Sequence, residues 1–231
     1  MEHNVYLSKQ AIAQMLLNSF EAFIIKHDGQ RRSGIELYAS LYGWIKEEKK
    51  KHHHHIEFIS VDTTADMNGG YVAFNQEAQY LKEHLAEQIG YNKIGGLHTH
   101  PYLSHEGDMK FMRAKGSHFS DADLDLFRSI LISEEKEHLV EVVLSIKQNE
   151  RQNTLKDGFM DCSDNVFEFS IGNCKCFLRV QAFTLDDKNC IQHEKTILHN
   201  EFLQDFEHFF ADFGRIRPEK GKKRILQYVI P

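Results

Sequence analysis

Two histidines one residue apart, followed by a carboxylate further along the chain, are the residues of this sequence best suited to bind a metal ion. His98 ends a run from Lys93 that is mainly apolar or small and predicts a short buried strand, and His100 follows two residues later. Because residues two apart on a strand share a face, both imidazoles can point toward one ion. Pro101 lacks a backbone donor and is predicted to end the strand, which places the second histidine at the strand end.

A third ligand is predicted at Asp123, in the first turn of a helix that begins after Ser120. Leu124, Phe127 and Leu131 follow at helical spacing, and serine is a good N-cap residue. Ser-x-x-Asp is also a capping box, which needs no metal. After a strand that ends in His-x-His-Pro, we favour Asp123 as a ligand. Two histidines and one carboxylate leave a fourth tetrahedral position open for water, which is typical of catalytic rather than structural zinc sites.

The general base that such a site needs is predicted to be Glu36. It is the single carboxylate of an apolar, strand-like run from Ser33 to Gly43. Burying a carboxylate among apolar side chains is costly unless the group has a partner, and water at a metal ion is a suitable partner.

Together these segments resemble the JAMM metalloproteases, the family with the MPN fold. The run Glu36 to Gly43 is similar to the family's E-x-x-G-x-L-x-G strand, with Ala39 in place of a glycine. The His-x-His-Pro and Ser-x-x-Asp motifs are present without change, and the resemblance covers Val5 to Asp187. The positions that match the three motifs are Glu36, His98, His100, Pro101, Ser120 and Asp123.

The resemblance implies an α/β fold of the MPN type, which is cytidine-deaminase-like, with helices flanking one mixed sheet and a C-terminal helical extension. It implies that His98, His100 and Asp123 bind zinc (Zn²⁺). It also implies that Glu36 takes a proton from the attacking water and passes it to the leaving amine, while Ser120 donates a hydrogen bond to the developing oxyanion. The implied activity is hydrolysis of a peptide or isopeptide bond in a protein substrate, at the C-terminus of ubiquitin or a ubiquitin-like protein.

The interval between the second and third motifs is longer than the family pattern. Eighteen residues, 102 to 119, separate Pro101 from Ser120. We therefore predict an insertion over 102–118 at the mouth of the site, and such segments tend to be lids, binding loops or disordered stretches. We interpret four of its side chains as polar loop residues rather than extra ligands or substrate contacts, namely His105, Glu106, Asp108 and His118. The predicted domains are a zinc peptidase domain over 1–187 and a C-terminal helix with a basic tail over 188–231, packed on it.

Hydrophobic patterning predicts the elements that position these residues. Helical spacing is found over Ser8–His27 and Asn75–Ile89. Buried or alternating runs predict further strands at Ile56–Val61, Leu139–Ile146, Val166–Ile171 and Cys174–Phe183. Near the C-terminus, an aromatic helix that packs on the core or forms an interface is predicted from Leu198, Phe202, Phe206, Phe209 and Phe213.

Three other features of the sequence are given structural rather than functional interpretations. The run Lys49 to His55 contains four consecutive histidines, which we interpret as the solvated tip of a hairpin, with adventitious metal or an anionic partner as the alternative. The basic stretch Arg215 to Arg224 is interpreted as a solvated loop leading into a strand over Ile225–Ile230. The spacing of the cysteines is not that of a zinc finger and predicts reduced thiols at Cys162, Cys174, Cys176 and Cys190.

Composition limits the function further. Lys and Arg number 28 against 34 Asp and Glu, a net charge of −6 that argues against a nucleic-acid binder. We expect a cytoplasmic protein, because the N-terminus has no signal-peptide pattern and no long apolar run predicts a membrane span.

A catalytically silent MPN-type scaffold is the alternative to the peptidase. A nucleobase deaminase is disfavoured because its Pro-Cys-x-x-Cys motif is missing. The oligomeric state is left open.

Overall fold

The computed structural model describes residues 1–26, 31–68, 70–151, 157–199, 202, 210 and 212–230. Within these ranges, ten strands form one mixed sheet. They are β1 (Glu2–Leu7), β2 (Tyr38–Glu48), β3 (Lys51–Val61), β6 (Asn92–Tyr102), β7 (Leu139–Gln148), β8 (Gly158–Phe159), β9 (Val166–Ile171), β10 (Cys174–Leu185), β11 (Ile191–His193) and β12 (Lys195–His199). Two small hairpins lie outside the sheet, β4 (Asp66–Met67) with β5 (Val72–Ala73) and β13 (Arg215–Glu219) with β14 (Lys222–Val229).

The helices are short and lie between strands. They are α1 (Lys9–Ile24), α2 (Gln76–Gln88), α3 (Met109–Phe111), a π-helix (Met112–Gly116) and α4 (Asp121–Ser133). The strand order is β12-β1-β3-β2-β6-β7-β10-β9-β8, and β11 pairs with β10. β1 runs parallel to β3 and β12, and β6 runs parallel to β7, whereas the other sheet pairings are antiparallel. The predicted α/β class with a mixed sheet is confirmed at this level.

The main core lies on one face of the sheet and positions the strand that carries the two histidines. Helix α1 begins where predicted, because the Ser8 side chain accepts a hydrogen bond from the Ala11 amide. It buries an apolar face against the sheet, where Leu97 of β6 is fully buried in the same core. Since neighbouring residues of a strand point to opposite faces, His98 lies on the other side of the sheet from Leu97.

The chain beyond Asp187 belongs partly to the sheet. Strand β11 pairs with β10 and strand β12 pairs in parallel with β1, so the predicted division after Asp187 cuts through the sheet. Leu198 lies in β12 rather than in a helix. It is buried together with Thr196, two residues earlier, on one face of that strand. Of the other residues of the predicted aromatic helix, Phe202 and Phe213 pack against the core. Phe206 and Phe209 are outside the described residues.

Four consecutive histidines lie within strand β3, which corrects the prediction of a solvated hairpin tip. The turn between β2 and β3 is at Lys49 and Lys50. The prediction was wrong because β1 adds a third strand, which pairs with the histidine run in parallel register. His52 and His54 are buried as a result.

The C-terminal basic stretch is also more ordered than predicted. It forms the hairpin β13–β14, in which Ile216 and Leu226 are buried in the main core. Gly221 makes the turn with φ +78°, a value that favours glycine. Ser33 fixes the hairpin to the segment before β2, since its amide donates to the Arg224 carbonyl.

The four cysteines are free thiols, with Cys174 and Cys176 buried in the core as predicted and Cys162 and Cys190 exposed. Of the helices that the structure describes, none is long and apolar enough to cross a lipid bilayer.

Candidate metal centre

Strand β6 presents His98 and His100 on one face, as the alternation predicts. The strand does not end at Pro101 but continues to Tyr102, which corrects the predicted end. The Thr99 amide donates a hydrogen bond to the Leu37 carbonyl, on the side of β6 that faces β2. The backbone nitrogen of Pro101, two residues later, faces the same side, so the hydrogen bond that proline cannot donate would be one toward β2. The pairing of β2 with β6 ends at His98, so no strand bond is lost there, while β7 continues to pair with β6 on the other side.

The two histidines and Asp123 form a group of three donor atoms close enough to share one ion. His98 Nε2 lies 3.2 Å from His100 Nε2, and Asp123 Oδ2 lies 3.4 Å from the former and 3.7 Å from the latter. Zinc bonds of about 2.0–2.2 Å at tetrahedral angles place ligand atoms roughly 3.3–3.6 Å apart. The residues present therefore fit a zinc ion in donor type and in spacing.

Asp123 caps its helix and faces the histidines with the same oxygen atom. Its Oδ2 accepts hydrogen bonds from the Ser120 amide at 2.7 Å and from the Ser120 hydroxyl at 2.8 Å. The Asp123 amide in turn donates to Ser120 Oγ at 3.2 Å, which completes a capping box. The cap and the predicted ligand are thus not alternatives, because the cap orients the carboxylate toward His98 and His100.

The charges of the group favour metal binding. Burial would raise the pKa of Asp123, but hydrogen bonds with His100 and His98 and from the Ser120 amide outweigh it, so the pKa is lowered. Burial lowers the pKa of His98, although Asp123 acts in the opposite direction. An ionised carboxylate and a neutral imidazole are the forms in which these side chains bind a metal.

Glu36 lies in an extended segment just before β2 rather than within that strand, which begins at Tyr38. Tyr38 pairs with His98, and Leu37 and Thr99 are joined by two hydrogen bonds of 2.8 and 3.1 Å. Extending this antiparallel register by one more pair sets Glu36 across from His100. Glu36 therefore lies on the face of the sheet that carries the histidines, as its predicted role requires.

Burial raises the pKa of Glu36 to about 7, with Asp123 raising it further and His100 and Arg32 acting the other way. A carboxyl group with a pKa near neutrality can both accept and release a proton, as a general base that later acts as an acid must. A bound cation would favour the ionised form, so this value is an upper limit for the metal-loaded protein.

A surface cavity of about 480 Å³ joins these groups and is lined by Glu36, His100, Ser120 and Asp123. Three further lining residues were missed by sequence analysis, namely Arg32, Tyr71 and Tyr102, and Glu106, which was interpreted as a polar loop residue, also lines the cavity. Tyr102 follows the histidine motif directly and has the same strand phase, so alternation could have found it. Arg32 and Tyr71 lie in no motif, and their place depends on the tertiary fold.

The predicted insertion over 102–118 is folded and fixed to the sheet. Arg113 of the π-helix donates to both carboxylate oxygens of Glu168 on β9, at 2.8 and 3.0 Å. Lys147 of β7, which is buried, donates to the Leu103 carbonyl at 2.6 Å. The insertion thus forms part of the wall around the site.

The polar residues of the insertion have different positions. Glu106 lines the cavity, where its carboxylate lies 3.6 Å from Arg32. Asp108 caps α3 by accepting from the Phe111 amide. His105 and His118 are exposed. None of these four belongs to a group of metal-ligating side chains among the described residues.

Beneath the site, Glu141 of β7 is a buried carboxyl group that accepts a hydrogen bond from the Gly96 amide at 3.0 Å. Burial raises its pKa from 4.5 to about 8, although Lys93 acts in the opposite direction. The folded state therefore binds more protons than the unfolded state between these pH values. Stability is lost as the pH rises through this window, and the full cost is present above about pH 8.

In metal-free protein, Glu141→Gln is expected to be more stable than the wild type at pH 9 by about 2–4 kcal/mol, because the amide can still accept from Gly96 without carrying a charge. At pH 4.5 the difference should be close to zero. Urea unfolding at both pH values measures it, with Glu87→Gln, the same change at an exposed position, as the control. A difference that does not change with pH would contradict the assignment.

Comparisons with known proteins give a structural likeness but no family. No protein-family model and no curated protein matches the chain. The chain is similar to the solution structure of protein DSY2949 from Desulfitobacterium hafniense, with 14% sequence identity and a TM-score of 0.46, over 85% of this chain and 94% of that one. The functional proposal therefore depends on the geometry of the site.

Proposed function

We propose that the protein is a zinc-dependent metallopeptidase of the JAMM type, with His98, His100 and Asp123 as metal ligands and Glu36 as general base. The observation that carries the proposal is the group of three donor atoms at the spacing of tetrahedral zinc ligands, together with a cavity that is lined by His100, Asp123 and the raised-pKa carboxyl group of Glu36. Such a combination supports hydrolysis better than structural metal binding, since three protein ligands leave a coordination position free.

A zinc ion held by His98, His100 and Asp123 would supply a Lewis acid that polarises a carbonyl group and activates water. Glu36 is placed to take a proton from the attacking water and to deliver it to the leaving amine.

Ser120 is proposed to donate a hydrogen bond to the developing oxyanion. In the structure its single hydroxyl hydrogen is donated to Asp123. The hydroxyl cannot donate to Asp123 and to a substrate oxygen together, so this role requires the hydroxyl to rotate as the substrate binds. The Ser120 amide would continue to orient Asp123 while it does so.

The cavity limits the form of the substrate. A volume of about 480 Å³ admits a few residues of an extended chain and excludes a folded domain. A protein substrate would therefore reach the zinc site with a flexible tail or an isopeptide link. The C-terminus of ubiquitin or of a ubiquitin-like protein, the substrate class that the resemblance implies, has such a tail. The four free thiols are in keeping with the cytoplasm as the proposed location.

The proposal is tested by incubating the zinc-loaded protein with ubiquitin-like fusion proteins, diubiquitins of different linkage and unstructured peptides. Mass spectrometry of the products should show cleavage after a C-terminal glycine, and o-phenanthroline should abolish it. Protein that holds zinc at His98, His100 and Asp123 and cleaves none of these substrates would contradict the peptidase and favour the silent scaffold.

A further inference from the structure

A second group of histidines lies on the core face of the sheet, away from His98. It consists of His3 on β1, His54 on β3 and His138 just before β7, whose ligand atoms lie within 4.8 Å of one another. His3 alternates with Val5 and Leu7, and both of these belong to the main core together with Leu97. His98, which follows Leu97, points to the opposite face. The two groups are therefore separate sites.

Pairing between strands, not the length of the histidine run, builds this cluster. His3 pairs with His52 across β1 and β3, and His54 follows on the same face of β3. His53 and His55, the other two histidines of the run, point outward and stack on Tyr6. Only alternate members of the run thus face the core.

The cluster is buried and its hydrogen bonding is incomplete. His3 and His54 are 1% and 0% exposed, and His3 Nδ1 lies 3.0 Å from His54 Nε2. Their remaining ring nitrogens, His3 Nε2 and His54 Nδ1, are buried without a hydrogen-bond partner among the described residues. Buried polar atoms usually have a partner, so two orphaned imidazole nitrogens in one cluster indicate a missing one.

The chemistry of the cluster selects the kind of partner. His3 and His54 are buried, and each imidazole can bind a metal ion through one of its ring nitrogens. The three ligands include no carboxylate. Imidazole ligands suit zinc, copper, nickel and iron, whereas magnesium and calcium prefer oxygen.

We propose that His3, His54 and His138 form a second metal site, which binds one late first-row divalent ion such as zinc. The ion would connect β1 to β3 and to the start of β7, three segments that are distant in sequence. Its function is structural, because binding to the folded state alone stabilises that state. His52 is a fourth imidazole at this site, with its ring centre 5.0 Å from that of His3 and 4.8 Å from that of His138.

The test uses the full chain with the first site removed by His98→Ala and His100→Ala. After zinc loading and dialysis, this base variant should retain about one zinc per chain, and zinc should raise its melting temperature. Adding His138→Ala should lower zinc affinity at least about tenfold and abolish the thermal shift. His138 is the suitable ligand to change because it is partly exposed and precedes the strand.

The matched control replaces the other two histidines of the run, His53→Ala and His55→Ala, in the same base variant. These changes remove two imidazoles from the run but none from the cluster, so zinc content should be retained. Zinc that is lost in this control but retained in the His138→Ala variant would show adventitious binding by the run and overturn the proposal, as would a base variant that binds no zinc.

Nuclear magnetic resonance of the wild-type protein provides a readout that does not depend on any variant folding. Titration with zinc should shift the imidazole nitrogen resonances of His3, His54 and His138 as one set, in addition to those of His98 and His100. If only the second set shifts, the proposed second site is wrong while the proposed catalytic site stands.

Discussion

Glu36→Gln is expected to lower kcat/KM for peptide-bond cleavage by about 10²–10⁴-fold, the usual contribution of a general acid–base group, without loss of zinc. Glutamine keeps the shape of the side chain and one acceptor oxygen but cannot take a proton from water. The zinc content should not change, because the ligand group consists of His98, His100 and Asp123.

Steady-state kinetics on the cleaved substrate and metal analysis of the same sample measure the two effects together. Glu87→Gln makes the same chemical change at an exposed position outside the cavity and should behave as the wild type. In the wild type, kcat/KM should fall at acid pH as Glu36 becomes protonated, with a midpoint at or below about 7, because bound zinc favours the carboxylate. A variant that retains wild-type kcat/KM would show that another group is the base.

The face of the sheet that carries the candidate metal centre was predictable because its signals are local. Alternation alone sets His98 and His100 on one side of β6, and Ser120 begins helix α4 where its side chain can cap. The sequence left two interpretations of Ser-x-x-Asp open, and the structure combines them. One carboxylate oxygen of Asp123 accepts the capping bonds and faces both histidines, which no spacing rule expresses.

The opposite face was not predictable because its environment comes from distant strands. When the sequence of β3 is considered by itself, His52 and His54 are predicted to be exposed polar residues. They become buried because β1, more than forty residues earlier, pairs with β3, and this strand was not predicted. Whether a strand is polar or buried depends on its neighbours more than on its own residues.

The same effect explains the error near the C-terminus. Thr196 and Leu198 alternate over too few residues for a strand signal, while the aromatic residues that follow have helical spacing. Parallel pairing with β1 decides in favour of strand β12. A segment of five residues acquires its structure from a partner almost two hundred residues away.

Asp123→Asn is expected to remove one zinc equivalent per chain and, with it, the peptidase activity. The amide oxygen can still accept from the Ser120 amide, so helix α4 keeps its cap and the fold is retained. The negative charge between His98 and His100 is lost, and removing a ligand should cost more than the roughly 10–100-fold in affinity that loss of an outer-shell partner costs.

The loss should equal one equivalent rather than the whole zinc content, because the histidine cluster on the other face does not include Asp123. Metal analysis after dialysis measures this difference against the wild type, and circular dichroism confirms the fold. Asp125→Asn changes an exposed carboxylate of the same helix and serves as the matched control, with zinc content and activity unchanged. If Asp123→Asn keeps its full zinc content, the carboxylate is only a helix cap, and both the ligand set and the proposed reaction are wrong.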